Sequence, residues 1–126
     1  MSLREKLISE SIIAMKKSYN PYSSLKVGAS LYTKNHKIFS GCNIENVSFG
    51  LTICAERVAV FNAISKGYQK FTAMAISSSS RRPIYPCGAC RQVLLEFGPD
   101  MQIYINHDDG NYTAKDLLPH SFDKII

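Results

Sequence analysis

Three of the four cysteines stand where they could hold a metal ion together. Cys54 is followed two residues later by Glu56, and the Cys-x-x-Cys pair of Cys87 and Cys90 comes further along the chain. Thiolates are common zinc ligands, and a zinc site with three protein ligands keeps a fourth position for water or substrate. A carboxylate beside the ligands suits a general acid or base acting on that water. The spacing therefore indicates zinc chemistry in which Glu56 moves protons.

The Cys-x-x-Cys pair by itself is compatible with three kinds of site. It can be a redox dithiol, half of a structural zinc site or part of a catalytic zinc site. A structural site normally takes four protein ligands, whereas only three thiols are obviously placed here. Pro86 precedes the pair, and C-x-E followed by P-C-x-x-C is similar to the signature of zinc deaminases, with Cys in place of His. Catalytic zinc is favoured, and a structural zinc or redox module of a binding protein remains the alternative.

Hydrophobic periodicity predicts the elements that position these residues. Helices are predicted over residues 2–19, 54–66, 87–97 and 113–118. Strands are predicted over residues 27–31, 38–42, 71–77 and 101–106, with a short extra strand near Tyr112. Gly67 is expected to end a helix in the left-handed conformation, and Asp109-Gly110 is expected to form a turn. The order predicts a mixed sheet flanked by helices, an α/β fold in which each metal-binding motif begins a helix.

The composition limits the classes of protein to consider. The chain of 126 residues is 45% hydrophobic, which predicts one globular domain over residues 1–126. No apolar run approaches the roughly 20 residues that cross a bilayer, so no membrane association is expected, and reduced thiols suit the cytoplasm. The net charge of +5 comes with only two basic pairs, Lys16-Lys17 and Arg81-Arg82, so no nucleic-acid partner is expected.

Three blocks of sequence resemble the small, homotetrameric, zinc-dependent cytidine deaminases. They read CNIEN at 42–46, CAER at 54–57 and PCGACRQ at 86–92, and the resemblance extends over nearly the whole chain. The zinc motifs are typical of the broad deaminase superfamily, and the Asn-Ile-Glu-Asn block narrows the resemblance to the nucleoside branch. It implies a three-layer α-β-α cytidine deaminase-like fold with a mixed five-stranded sheet. It also implies a homotetramer whose pockets are completed by neighbouring subunits.

The resemblance further implies the reaction. Cys54, Cys87 and Cys90 would hold one Zn²⁺ per chain, with water as the fourth ligand. Attack of zinc-bound hydroxide on C4, with Glu56 as proton shuttle, would convert cytidine and deoxycytidine to the uridines and ammonia, a step of pyrimidine salvage. Arg57 would hydrogen-bond the ligand sulfurs and moderate their charge, while Arg91 is a second candidate cation.

Substrate contacts also follow from the resemblance. Asn43 and Glu45 would hydrogen-bond the ribose hydroxyl, and Ala55 would contact the pyrimidine through its backbone. Phe122 would stack on the base in a neighbouring subunit. Two pocket positions depart from the family pattern, since Leu25 stands where phenylalanine is usual and Phe49 where tyrosine is common. Leu25 can still pack against a base, but it lacks aromatic stacking.

Two further enzymes remain as alternatives. One is a deaminase of another aminopyrimidine nucleoside, such as blasticidin S, although the Asn-Ile-Glu-Asn block favours cytidine. The other is a polynucleotide-editing deaminase, which predicts salt-dependent binding to single strands. The fourth cysteine, Cys42, is expected to be a small buried strand residue rather than a ligand.

Overall fold

Five strands form one mixed sheet in the computed structural model, which describes residues 1–123. The helices are α1 (Leu3–Met15), α2 (Ala55–Ser65), α3 (Gly88–Phe97) and α4 (Ala114–Leu117). The strands are β1 (Val27–Thr33), β2 (Ile38–Cys42), β3 (Phe71–Ser78), β4 (Gln102–Ile105) and β5 (Asp108–Thr113). The strand order is β2-β1-β3-β4-β5, and only β3 and β4 are parallel neighbours. The α/β prediction and its mixed five-stranded sheet are therefore confirmed.

The helices cover both faces of this sheet. Side chains of successive strand residues point in opposite directions, so a strand that is apolar throughout has an apolar surface on each face. On β3, Met74 and Ile76 belong to the larger core, which α2 and α3 complete, whereas Ala73 and Ala75 pack with Leu7 of α1. The result is three layers, with α1 on one face and the two helices that follow the metal-binding motifs on the other.

Two glycines set how closely the helices approach the sheet. A Cβ on Gly28 would lie 2.1 Å from the Ser11 carbonyl oxygen of α1. A Cβ on Gly41 would lie 2.4 Å from the Ala59 nitrogen and 2.6 Å from the Ala55 oxygen of α2. Both helices therefore lie so close to the strand backbone that a side chain at either glycine would clash with them. The Gly41 contact positions α2 near its first turn.

Three helix ends show how local sequence caps the helices. Gly67 has a φ of +94°, the left-handed conformation expected after α2. Thr113 and Asp116 form a complete capping box at α4. At α1, the Ser2 hydroxyl oxygen accepts a hydrogen bond from the Glu5 amide, and the same hydroxyl group donates to the Glu5 carboxylate at 3.0 Å.

Two boundary predictions are wrong for reasons of tertiary pairing. The first helix ends at Met15 rather than near Tyr19, because the Tyr19 amide donates to the Asn43 oxygen and the Tyr19 oxygen accepts from the Glu45 amide. The Asp109-Gly110 pair lies within β5, and the turn falls at residues 106–107, where His107 has a φ of +72°.

Within residues 1–123, no helix is both long enough and apolar enough to cross a membrane.

Candidate active site

Cys54, Cys87 and Cys90 converge where the first turns of α2 and α3 meet. Cys54 is the N-cap of α2, Cys87 is the N-cap of α3, and Cys90 lies one turn into α3. The Cys54 and Cys87 sulfurs are 3.7 Å apart, and all three sulfurs lie within 4.8 Å of one another. Tetrahedral zinc with bonds of about 2.3 Å places sulfur ligands about 3.8 Å apart. The donor set and its spacing therefore fit one zinc ion, as predicted.

The three thiols are electrostatically unequal. A hydrogen bond from the Cys90 thiol, supported by Arg57 and Cys87, lowers the pKa of Cys54 to about 5 in spite of its burial. The same hydrogen bond to Cys54, together with burial, raises the pKa of Cys90. Both helix N-termini also favour thiolates over thiols. Zinc binds thiolates, so its binding displaces the protons that these thiols carry.

Glu56 lies beside this cluster in the first turn of α2. Its side chain is 4% exposed, and burial raises the pKa of its carboxyl group to about 7. The nearby Cys54 thiolate raises this pKa further, while the Cys90 thiol and Arg57 act in the opposite direction. Ala55, which precedes Glu56, is fully buried.

The two candidate cations differ in their partners. Arg57 donates from Nη2 to the Cys54 sulfur at 3.6 Å, and the neighbouring thiolates raise the pKa of its guanidinium. Arg91 instead donates from Nε to the Pro86 oxygen at 2.7 Å and from Nη1 to the Leu117 oxygen at 2.8 Å. Arg57 therefore stabilises the negative charge of the thiolates, whereas Arg91 binds the backbone at Pro86 and Leu117.

Asn43 uses both the oxygen and the nitrogen of its side-chain amide to hold the segment before β1. Its Oδ1 accepts from the Val27 amide at 2.9 Å and from the Ser18 hydroxyl, and its Nδ2 donates to the Leu25 oxygen at 2.8 Å. Leu25 is half-buried and follows Ser24, whose φ is +63°. Sequence reasoning missed Ser18 because nothing local marks it as a partner of Asn43.

Glu45 binds the same segment from the other side. Its Oε1 accepts from the amides of Tyr22 and Ser23 at 2.9 and 3.2 Å, and its Oε2 accepts from the Ser23 hydroxyl. The Ser23 hydroxyl, followed by these amides, lowers the pKa of Glu45. Both residues predicted to bind ribose thus also fix residues 18–27.

Phe49 and Glu45 line one cavity of about 450 Å³ with Tyr22, Ser23 and Thr52. The Phe49 side chain is 73% exposed and meets Tyr22 edge to face, with ring centroids 5.8 Å apart. The cysteine sulfurs are not part of this lining. A hollow is therefore present beside Glu45, and one chain leaves it open to solvent.

Phe122 lies in the segment after α4, with its side chain 79% exposed. Its backbone amide and carbonyl both bond the side chain of Gln92. Sequence reasoning assigned no role to Gln92, although it ends the PCGACRQ block. The remaining cysteine, Cys42, is a half-buried free thiol of β2, and burial raises its pKa.

Comparison with known proteins agrees with this geometry. Residues 1–106 match the family described as the cytidine and deoxycytidylate deaminase zinc-binding region. A cytidine deaminase of Halalkalibacterium halodurans is 45% identical over 123 residues, covering 94% of this chain and 93% of that protein. A blasticidin-S deaminase of Bacillus cereus is more distant, with 32% identity over 103 residues and 74% of each chain covered.

Solved structures give the same result. The crystal structure of a cytidine deaminase from Burkholderia pseudomallei is 44% identical and superposes with a TM-score of 0.90, covering 97% of this chain and all of that one. A cytidine deaminase from Mycobacterium tuberculosis, 36% identical, also gives a TM-score of 0.90 over 98% of this chain and all of that one. From its sequence, its fold and its trio of sulfurs alike, this chain belongs to the cytidine and deoxycytidylate deaminase family.

Proposed function

We propose that this protein is a zinc-dependent cytidine deaminase that hydrolyses cytidine and deoxycytidine to uridine and deoxyuridine with release of ammonia. The observation that carries the proposal is the buried carboxyl group of Glu56 beside three sulfurs spaced for one zinc ion. Cytidine deaminases at 44–45% identity over most of the chain support the same substrate.

Cys54, Cys87 and Cys90 would hold the zinc ion, and Arg57 would keep their negative charge in check. Bound zinc supplies Lewis-acid chemistry that makes water a nucleophile near neutral pH. Offsetting thiolate charge matters because three anionic ligands weaken that effect. The 3.6 Å contact between Arg57 Nη2 and the Cys54 sulfur supports this role.

Glu56 would carry the protons of the reaction. Its carboxylate takes a proton from the attacking water, whose oxygen forms a bond to C4 of the base. It delivers this proton to N3, takes the second proton from the hydroxyl group formed on C4 and passes it to the amino group, and the C4–N bond breaks as ammonia leaves. Water is the only co-reactant, so hydrolysis balances without an oxidant or reductant.

The substrate would be held by residues from several segments. Asn43 and Glu45 would form hydrogen bonds with the ribose hydroxyl in addition to their contacts with residues 18–27. The Ala55 backbone would contact the pyrimidine. Leu25 and Phe49 would form apolar walls. Phe122 would stack on the base in the pocket of a neighbouring chain.

We further propose a homotetramer acting in pyrimidine salvage in the cytoplasm, with residues 1–126 as one domain. The exposed ring of Phe122 and the open hollow beside Glu45 support completion of each pocket by another chain. All four cysteines are free thiols, which suits a reducing compartment.

An ultraviolet assay on cytidine and deoxycytidine, run with and without a zinc chelator, tests the proposal. We expect turnover of both nucleosides, loss of activity with the chelator, recovery with added zinc, and one zinc per chain by metal analysis. A metal-free protein that deaminates cytidine at the full rate would overturn the zinc assignment. Faster turnover of blasticidin S than of cytidine would overturn the substrate assignment.

A further inference from the structure

The segment after α4 is held at Phe122 by one side chain. Gln92 Nε2 donates to the Phe122 oxygen at 3.0 Å, and the Phe122 amide donates to Gln92 Oε1 at 3.2 Å. A primary amide presents an N–H group and a carbonyl oxygen side by side, so Gln92 bonds this backbone as a neighbouring strand would. Residues 118–123 contain no helix or strand.

These two hydrogen bonds do not serve to bury the ring of Phe122 in its own chain. The side chain is 79% exposed, although aromatic rings in packed proteins usually contribute through burial. Gln92 and Phe122 border a hollow of about 480 Å³ between α3 and this segment, which the ring leaves unfilled. A fixed backbone with an outward ring is the arrangement expected where the ring contacts another molecule.

The neighbouring residue extends the same attachment towards the metal site. Arg91 bridges the Pro86 oxygen, next to Cys87, and the Leu117 oxygen at the end of α4. The first turns of α3 therefore carry two metal ligands and also hold the chain at Leu117 and at Phe122. The backbone at Phe122 is therefore tied to the helix that carries two of the metal ligands.

We infer that Gln92 is a positioning residue, which fixes the backbone at Phe122 so that its ring reaches the nucleoside pocket of a second copy of this chain. The inference rests on the proposed function, in which that ring stacks on the base. It adds the residue that holds this backbone, since residues 118–123 form no helix or strand.

Replacement of Gln92 by methionine tests the inference, since methionine has similar length and neither hydrogen bond. We expect the KM for cytidine to rise about tenfold, the scale of a lost base-stacking contact, with kcat changed by less than about twofold. Phe122→Ala should give at least as large a rise. The double variant should be no worse than Phe122→Ala alone, because Gln92 acts through that ring. Gln69→Met, at an exposed loop residue between α2 and β3, is the matched control and should leave KM unchanged.

An unchanged KM in Gln92→Met, or additive effects in the double variant, would overturn the inference. Hydrogen exchange of the wild-type enzyme provides an arm that needs no variant to fold. The Phe122 amide should exchange slowly despite its exposed ring, and fast exchange would also overturn it. Absence of cytidine turnover in the wild type would instead overturn the proposed function, while the exchange measurement would still test the attachment by Gln92.

Discussion

Adjacent residues in the first turn of α2 act on the metal site in different ways. Glu56 is buried, and burial raises the pKa of its carboxyl group to about 7, so it can hold or release a proton near neutral pH. Arg57 keeps a fixed positive charge against the Cys54 sulfur. Because neither residue is needed to complete the trio of sulfurs, removing the proton carrier should leave the metal in place.

Glu56→Gln is therefore expected to retain one zinc per chain while kcat for cytidine falls by about 10²- to 10⁴-fold, the contribution of a positioned general acid or base. Glutamine keeps the size and polarity of the side chain but cannot take up a proton from water. Parallel metal analysis and steady-state kinetics measure the two effects. Glu10→Gln, on α1 at the opposite face of the sheet, is the control, and near-normal turnover in Glu56→Gln would contradict the role.

The sequence predicted the metal-binding residues because their geometry is local. Cys54 and Cys87 are the N-caps of two helices, and Cys90 follows Cys87 within one turn. Once the starts of these two helices are recognised in the sequence, most of the site is predicted. The bonds of Asn43 to Ser18 and of Gln92 to Phe122 could not be predicted in this way. Each joins an ordinary polar residue to a distant backbone or hydroxyl, and only the folded chain brings the partners together.

At the scale of elements, the two close glycine contacts allow a comparison. Gly41 meets α2 next to Ala55, the residue that follows a metal ligand, whereas Gly28 meets α1 on the far side of the sheet. A methyl group at either position must push a helix away from its strand. Displacement of α2 moves Cys54 relative to α3, but displacement of α1 does not.

Gly41→Ala and Gly28→Ala are both expected to lower the free energy of unfolding, by about 1–3 kcal/mol or more for a strongly overpacked contact. Only Gly41→Ala should also weaken zinc binding. Urea titration and zinc competition with a chelator measure the two quantities. Gly50→Ala is the control, since its Cβ would meet nothing within 4 Å. Equal zinc retention in the two variants would show that Gly41 does not position the metal site.

Element types could be predicted from periodicity, whereas some boundaries depended on contacts between elements. The β4–β5 turn at residues 106–107 is supported by Arg4 of α1, which donates to the oxygens of Ile105 and Asp108 on either side. A local signal such as Asp109-Gly110 contains no information about that arginine. The turn therefore lies at residues 106–107 rather than at Asp109-Gly110.

At the scale of the whole molecule, Asp108 joins parts of the chain that are far apart in sequence. Its carboxylate accepts from the hydroxyls of Tyr85 and Tyr112 and from the Gly110 amide, and Arg4 lies close enough to contribute. These hydrogen bonds lower the pKa of Asp108, and the bond from Tyr85 has the largest effect. The Asp108 carboxylate in turn raises the pKa of Tyr85 to about 12. The loop that leads to Cys87 is thus fastened to β5.

A pH-dependent stability difference follows from this lowered pKa. Ionised Asp108 stabilises the folded chain above its ordinary pKa of 3.8, and the contribution is lost as the pH falls through the lower folded-state value. Asp108→Asn should therefore be less stable than wild type at neutral pH, and the gap should close in strong acid. Urea titrations across this range measure it. Asp109→Asn, an exposed neighbour, should show no such convergence, and a gap independent of pH would contradict the assignment.

The outer surface around residues 44–61 bears on assembly. Five large apolar side chains are exposed there, namely Ile44, Val47, Phe49, Leu51 and Phe61. A patch of this kind on one chain is typical of a contact surface between proteins. Since the proposed pocket needs Phe122 from another chain, contacts through this patch and catalysis should be lost together.

Phe61→Glu is accordingly expected to lower the assembly state and the activity per chain, because burying an unpaired carboxylate in an interface costs several kcal/mol. Light scattering should give the wild type a mass about four times the 14.1 kDa chain, and the variant a smaller one. Its zinc content should stay at one per chain, since the three ligands and Glu56 all belong to a single chain. Lys34→Glu, on the exposed turn after β1, is the control for added charge. A dissociated variant with a wild-type KM would mean that each chain closes its own pocket, and the neighbour's ring would then have no part in binding the base.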